Sequence, residues 1–190
     1  MPNPLLLPLL LIAPGAFTLR LAWPKEHLEF MERVGISIGL SLAITPILIA
    51  LTQAYLGEVN EGALWAIAGI TAIGALAPKP GAKLRLRFTS WDAYILIILV
   101  VACAVIFSNF AKYPYFPRYY SHDFMFHLDL ARQYLHGIRD VFGATYPPSV
   151  HMIIAAGLVS LGGEGLASLQ WSMAVVEALS TLVVYAITSR

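Results

Sequence analysis

The sequence has few charged residues and only one cysteine. Of its 190 residues, 12% are charged and 58% are hydrophobic, with a mean hydropathy of +0.72. A soluble domain carries about twice that share of charge, so a membrane protein is indicated. The twelve Lys and Arg form no dense basic block and the net charge is +1, which excludes nucleic acid as a partner. Because Cys103 is the only cysteine, the sequence excludes an internal disulfide and a cysteine metal cluster.

The N-terminus also lacks the basic n-region of a secretory signal, so we predict that it is retained. About 20 apolar residues are needed to cross a bilayer, and runs free of Lys and Arg give about six candidate spans. They are Pro4–Leu19, Val34–Leu56, Gly62–Ala77, Ala93–Phe110, Pro148–Leu161 and Leu166–Thr188. We therefore predict an all-α polytopic transmembrane bundle over residues 1–190, with N-terminal spans in 1–77 and later spans in 93–190.

Basic residues concentrate in two of the short connections between these runs. Arg20, Lys25 and Arg33 follow the first run, and residues 79–87 contain four more. Since connections rich in Lys and Arg stay in the cytoplasm, the loop of residues 111–147 is predicted on the outer face of the cell membrane. The same counting places the turn 161–166, which carries only Glu164, on the cytoplasmic side.

The stretch YYSHDFMFHLD opens the longest polar interval. From Asp123 to Val141, apolar residues recur every three or four positions, which predicts an amphipathic helix. They are Phe124, Leu128, Ala131, Leu135 and Ile138. We expect this helix to lie on the bilayer surface with its apolar face in lipid. Asp129, Arg132, Gln133 and His136 project to the opposite side.

Asp123 and His127 lie at the margin of that apolar stripe, with Tyr134 on the same edge. There a carboxylate can accept a proton from a hydroxyl group or hold a divalent ion such as Mg or Mn, with Asp123 as the first ligand. An imidazole can donate to a lipid phosphate. The alternative is structural, with Asp123 as a helix N-cap and His127 as an interfacial polar residue.

The segment HDFMFHLDLARQYLHGI, followed by YPPSVHMIIAAG, resembles the front end of the GT-C superfamily of integral-membrane glycosyltransferases. The resemblance implies sugar transfer from a polyprenyl-phosphate donor on the outer face, with Asp123 as the acidic catalytic residue that deprotonates or orients the acceptor. His127 and Asp129 are further polar or acidic groups of the same implied site. GT-C enzymes normally have eight or more spans, so the chain is expected to be an N-terminal fragment, to need a partner, or to share the fold without the activity. Substrate contacts are then expected from Arg118, Tyr120, His122, Arg132, Tyr146 and His151.

The first third is similar to a prokaryotic membrane-domain family of unknown function. The matching residues are Pro14-Gly15, Pro24, Glu32-Arg33, Gly39–Ala43 and Pro46. This resemblance implies three spans ahead of the GT-C-like part and no activity. Gly35 and Gly39 also have the small-xxx-small spacing that favours close helix packing.

Glu177 lies near the middle of the last run, where a carboxylate is costly unless it is protonated or paired. It is either functional, as the coupling residue of a transporter, or paired with His151 or Gln170 inside the bundle. His151 itself faces the external site or is a satisfied interfacial histidine. The competing class for the whole chain is a non-enzymatic membrane scaffold or assembly subunit with a membrane-protein partner.

Overall fold

The computed structural model describes residues 3–22, 28–77, 88–112, 121–137, 148–163 and 165–188. Every element in these ranges is an α-helix, which confirms the predicted all-α class. Within them, α3 and the stretch Ala167–Thr188 of α8 are long and apolar enough to cross a membrane. The helices are α1 (Leu6–Leu10), α2 (Ala13–Ala22), α3 (Phe30–Leu56), α4 (Glu61–Leu76), α5 (Ser90–Lys112), α6 (Ser121–Leu135), α7 (Pro148–Leu161) and α8 (Leu166–Thr188).

Proline divides the first apolar run into α1 and α2. Pro14 has no backbone N–H, so it cannot pair with the carbonyl of Leu10 four residues earlier. The hydroxyl of Thr45 on α3 donates to that carbonyl instead, over 2.8 Å. A buried carbonyl without a partner is unfavourable, so this bond satisfies the Leu10 carbonyl and fixes the end of α1 against α3.

Gly15 allows α2 to approach α3 at backbone distance. Its N–H donates to the hydroxyl of Ser41 over 2.7 Å, and a Cβ at this position would overlap the carbonyl of Ser37. The Pro14-Gly15 pair and the Gly39–Ala43 segment of the sequence pattern therefore meet in space. Their function in this chain is helix packing.

Helices α3 and α8 form an antiparallel central pair. A Cβ at Gly35 would overlap the carbonyl of Leu182 and press on Ala186, so the two backbones are in contact there. Ile38 and Leu182 are buried in one cluster. Gly35 is near the start of α3, so the end of the bundle at which α3 begins, the Phe30 end, also holds the C-terminal end of α8. The opposite side of the bundle is the Leu56 end.

Asp92 joins the N-terminal ends of α3 and α5. Its carboxylate accepts from the N–H of Met31 over 3.1 Å and from both the N–H and the hydroxyl of Thr89. The first N–H groups of a helix have no partner within the helix, so one carboxylate here satisfies donors of two helices. Burial raises the pKa of Asp92, but these hydrogen bonds outweigh it and the pKa is lower than usual.

Arg20 fixes α2 to the C-terminal end of α4. Its guanidinium donates to the carbonyl of Ala75 over 2.5 Å and to that of Ala77. The last carbonyls of a helix are unpaired and carry a partial negative charge, so a cation there stabilises the end of α4. The contact places Arg20 where α4 ends.

Helices α7 and α8 form a hairpin whose turn lies at the Leu56 end. Gly157 packs against Ser172, and the carbonyl of Ser160 accepts from the N–H of Asn3, which precedes α1 at that end. With 14 residues, α7 rises about 21 Å along its axis, which is short of a bilayer. The C-terminal end of α7 and the start of α8 lie at the same end of the bundle as the connection between α3 and α4, whereas loop counting predicts these two connections at opposite ends.

Helix α6 confirms the predicted amphipathic helix but not its predicted contact with lipid. Leu128 and Ala131 are buried in a cluster with residues of α7 and α8, and Leu135 is buried in the main core. At these three positions the apolar face is covered by the protein itself, while the side chains of Phe124 and Ile138 lie outside the described part of the chain. The polar side is as predicted, with Asp129 and His136 exposed.

Candidate functional site

Two histidines connect α6 to α7. The Nδ1 atom of His127 lies 2.8 Å from the Nε2 atom of His151, a hydrogen-bond distance, and the ring centroids are 5.1 Å apart. His127 is four residues after Asp123 on α6, and His151 belongs to the first turn of α7. The end of α6 that carries the acidic sequence motif is therefore tied to the start of α7.

Tyr134 completes an aromatic enclosure around His151. Its ring stacks on that of His151 at a centroid distance of 6.1 Å and an angle of 24°. Tyr134 follows His127 by seven residues, two helical turns, so both face α7. His151 is only 2% exposed between them. The predicted shared edge of His127 and Tyr134 is confirmed, and His151 is a buried, hydrogen-bonded histidine.

The C-terminal end of α6 is held at the connection between α3 and α4. The side-chain amide of Gln53 donates to the carbonyl of Tyr134, and the N–H of Val59 donates to that of Leu135 over 3.0 Å. These carbonyls belong to the last turn of α6, where helical partners are missing. Gly137 follows with φ of 71° and lies so close to the carbonyl of Gly57 that a Cβ would overlap it. Anchoring at this end fixes the direction in which α6 projects His127.

The histidine pair can hold one hydrogen between its two rings. In a neutral pair, either the Nδ1 of His127 or the Nε2 of His151 carries that hydrogen and the other nitrogen accepts it. If both rings were protonated, two N–H groups would meet head to head. The facing nitrogens therefore share a single hydrogen, which fixes the relative orientation of the two rings.

A partly open cavity of about 90 Å³ lies beside His127. A liquid water molecule occupies about 30 Å³, so the space fits a small apolar group rather than a large ligand. Its walls are otherwise apolar, and they come from α6, α7 and α8. The lining residues are His127, Val150, Ile154, Leu169 and Met173.

Asp129 and Arg132 form an ion pair on the other side of α6. The guanidinium Nη1 lies 3.1 Å from Oδ1, and the two side chains are 58% and 35% exposed for Asp129 and Arg132 respectively. An exposed pair of this kind contributes about 0–1 kcal/mol. The structure thus separates these two predicted site residues from the cavity, whereas His127 and His151 come together.

Several predicted site residues lie outside the described part of the chain. These are Arg118, Tyr120 and Tyr146, together with the side chains of His122 and Asp123, whose backbone belongs to α6. Among the described residues there is no group of three His, Cys, Asp or Glu that could hold a metal ion. A divalent ion at Asp123 therefore remains a prediction.

Glu177 is exposed on α8 and pairs with neither His151 nor Gln170. Both of those residues are buried, whereas Glu177 is exposed. The interpretation in which Glu177 is paired inside the bundle is therefore not the one observed. Within the described ranges, no salt bridge involves Glu177.

Sequence reasoning missed Asp92 and the direct contact between His127 and His151. The first has a local signal, because Thr89-Ser-Trp-Asp92 matches the pattern of a capping box. The second has none, since the two histidines are 24 residues apart and no periodicity relates them. Comparison with protein-family models, with curated proteins and with solved structures finds no match to this chain.

Proposed function

We propose that the chain is a multi-pass membrane protein that belongs to a glycosyltransferase of the GT-C type. The observation that carries the proposal is the His127–His151 pair. This pair joins α6, which also carries the backbone of Asp123, to α7, and the apolar cavity lies beside it. A lipid-phosphate donor needs such a combination, an apolar wall for the chain and polar groups for the phosphate.

Membrane placement is supported by the lengths of α3 and α8 and by the distribution of basic residues. Arg20 lies at the C-terminal end of α4, from which residues 79–87 continue with four Lys and Arg. Connections with this content favour the cytoplasm, so the Phe30 end is proposed to be cytoplasmic and the Leu56 end external. The histidine pair then lies toward the outer face.

The proposed reaction is an inverting displacement. A hydroxyl oxygen of the acceptor attacks the anomeric carbon of the sugar, the bond from that carbon to the phosphate oxygen breaks, and the polyprenyl phosphate leaves. Asp123 takes the hydroxyl proton as general base. His127 donates a hydrogen bond to a phosphate oxygen, with His151 supporting its ring orientation.

The cavity beside His127 supports a role in donor binding. Its apolar walls and small size suit the first carbons of a lipid chain, while the imidazole at its edge suits the adjoining phosphate. Substrate binding by one apolar wall and one polar group fixes both the position and the orientation of the reacting bond.

A non-enzymatic assembly subunit is the second candidate. The exposed carboxylate of Glu177 on an apolar helix favours it, since such a group is costly in lipid without a partner. In that case α6 and the histidine pair stabilise the fold and Asp123 caps α6.

The experiment that tests the enzyme is an Asp123→Asn substitution assayed for sugar transfer from a polyprenyl-phosphate-linked donor in membranes. We expect transfer to fall by about 10²–10⁴-fold, the contribution of a general base. Glu58→Gln is the matched control, because it converts an exposed carboxylate at the same end of the bundle to an amide. Unchanged transfer by a folded Asp123→Asn protein contradicts the proposed chemistry.

A further inference from the structure

Glu177 occupies the midpoint of α8 and its side chain is exposed there. The helix around it is apolar enough to span a membrane. Among the described residues Glu177 has no salt-bridge partner. A carboxylate at the centre of a bilayer is rare and is nearly always paired or turned toward a protein interior. Its exposure therefore indicates a contact that the described residues do not provide.

The helical face that carries Glu177 points away from α3. Ala178 and Leu182 on the other side of α8 are buried, whereas Val184, two turns after Glu177, is 60% exposed. Thr181 lies between them on the same face and is half-buried. Small and polar residues of this kind let a neighbouring helix approach closely in a membrane.

The sequence bears on the charge that the helix in contact with Glu177 carries. None of the twelve Lys and Arg lies within the six apolar runs, so no other span of this chain offers a cation at the depth of Glu177. A second copy packed around a two-fold axis through this face would bring Glu177 against Glu177, which places two like charges together.

We propose that this face of α8 binds a further membrane-spanning helix, which carries a Lys or Arg at the depth of Glu177. The inference rests on the membrane placement in the proposed function and not on sugar transfer. The ion pair replaces a solitary carboxylate in lipid with a paired one, and the adjoining Thr181 and Val184 supply the contact surface.

The test uses purified protein in phosphatidylcholine vesicles with synthetic transmembrane peptides of Leu and Ala that differ only at the central residue, which is Lys, Leu or Glu. Association is measured by fluorescence energy transfer from labelled protein to labelled peptide. We expect the Lys peptide to bind wild-type protein about threefold or more tightly than the Leu peptide. Glu177→Gln should remove that difference, and Glu177→Lys should shift the preference to the Glu peptide.

Equal association of all three peptides with wild-type protein overturns the proposal. Energy transfer between two labelled copies that exceeds transfer to the Lys peptide, and that Glu177→Gln abolishes, also overturns it and assigns the face to self-association. Extraction of the wild-type protein from vesicles at alkaline pH contradicts the membrane placement and the proposal together. Asp123→Asn is expected to keep the peptide preference, so loss of the enzyme hypothesis does not affect this result.

Discussion

The carboxylate of Asp92 accepts a hydrogen bond from the backbone N–H of Met31, and so joins two helices that begin 60 residues apart in the sequence. The same carboxylate accepts from Thr89 at the start of its own helix. Asp92 and Met31 are both buried, so the N–H of Met31 has no water as a substitute partner. Asp92 therefore supplies the polar contact between the starts of α3 and α5, beside the apolar contact of the Phe30 and Phe88 rings.

Asp92→Asn is expected to lower the free energy of unfolding by about 1–3 kcal/mol at neutral pH, since the amide replaces an acceptor oxygen with a donor. Thermal unfolding in detergent micelles measures the loss. Glu58→Gln, on an exposed side chain, should change stability by less than about 0.5 kcal/mol. A stable Asp92→Asn protein would show that the two helix starts are held by other contacts.

The lowered pKa of Asp92 adds a pH dependence to that difference. Because the pKa in the folded protein is below the usual value of 3.8, the unfolded chain binds the proton more readily. The stabilisation is therefore complete above about pH 4 and declines as the pH falls through the folded pKa. Wild-type and Asp92→Asn proteins should converge in stability below about pH 4, and a constant difference between pH 6 and pH 3 would contradict this assignment.

Gly15→Ala should destabilise the protein by about 1–3 kcal/mol or more, because the added methyl group meets backbone atoms of α3 that cannot move aside. Gly69→Ala is the matched control on α4, where a Cβ would meet nothing within 4 Å. There the change should stabilise the helix by about 0.5–1 kcal/mol. If both variants melt alike, the close approach of α2 to α3 is not present in solution.

The sequence predicts local structure well in this chain and long-range contacts poorly. The three- and four-residue spacing of Leu128, Ala131 and Leu135 depends only on neighbouring positions, and it correctly predicts α6 and its polar side. The same stripe does not say what covers it. Lipid tails are as apolar as leucine, so a face buried against α7 and a face in lipid have the same pattern.

The candidate site illustrates the same limit. Tyr134 and His127 share an edge of α6, which their seven-residue spacing predicts. His151 approaches them from a different helix, and no local pattern relates positions 24 residues apart. The direction of α7 likewise follows from packing of Gly157 against Ser172 rather than from the charge of the connecting turn.

The histidine pair should show strong energetic coupling. His127→Gln and His151→Gln each remove one partner, and the second leaves a buried gap between two aromatic rings. Since either substitution already breaks the shared hydrogen bond, the double variant should lose about 0.5–3 kcal/mol less than the sum of the single losses. Thermal unfolding in micelles gives all three values, and His136→Gln, on the exposed side of α6, serves as the reference. Additive losses would mean that the two rings do not interact.

The final prediction concerns which helix ends share a side of the membrane. In a Cys103→Ser background, we place single cysteines at Glu58, Gly165 and Thr188, all of which are exposed. The hairpin of α7 and α8 places Gly165 at the same end as Glu58, while the contact of Gly35 with Ala186 places Thr188 at the other end. A membrane-impermeant maleimide added to intact cells should therefore label Glu58→Cys and Gly165→Cys alike, and Thr188→Cys only after the cells are permeabilised. Counting α7 as a full span predicts the opposite, with Gly165 protected and Thr188 labelled, and that result would refute the hairpin described above.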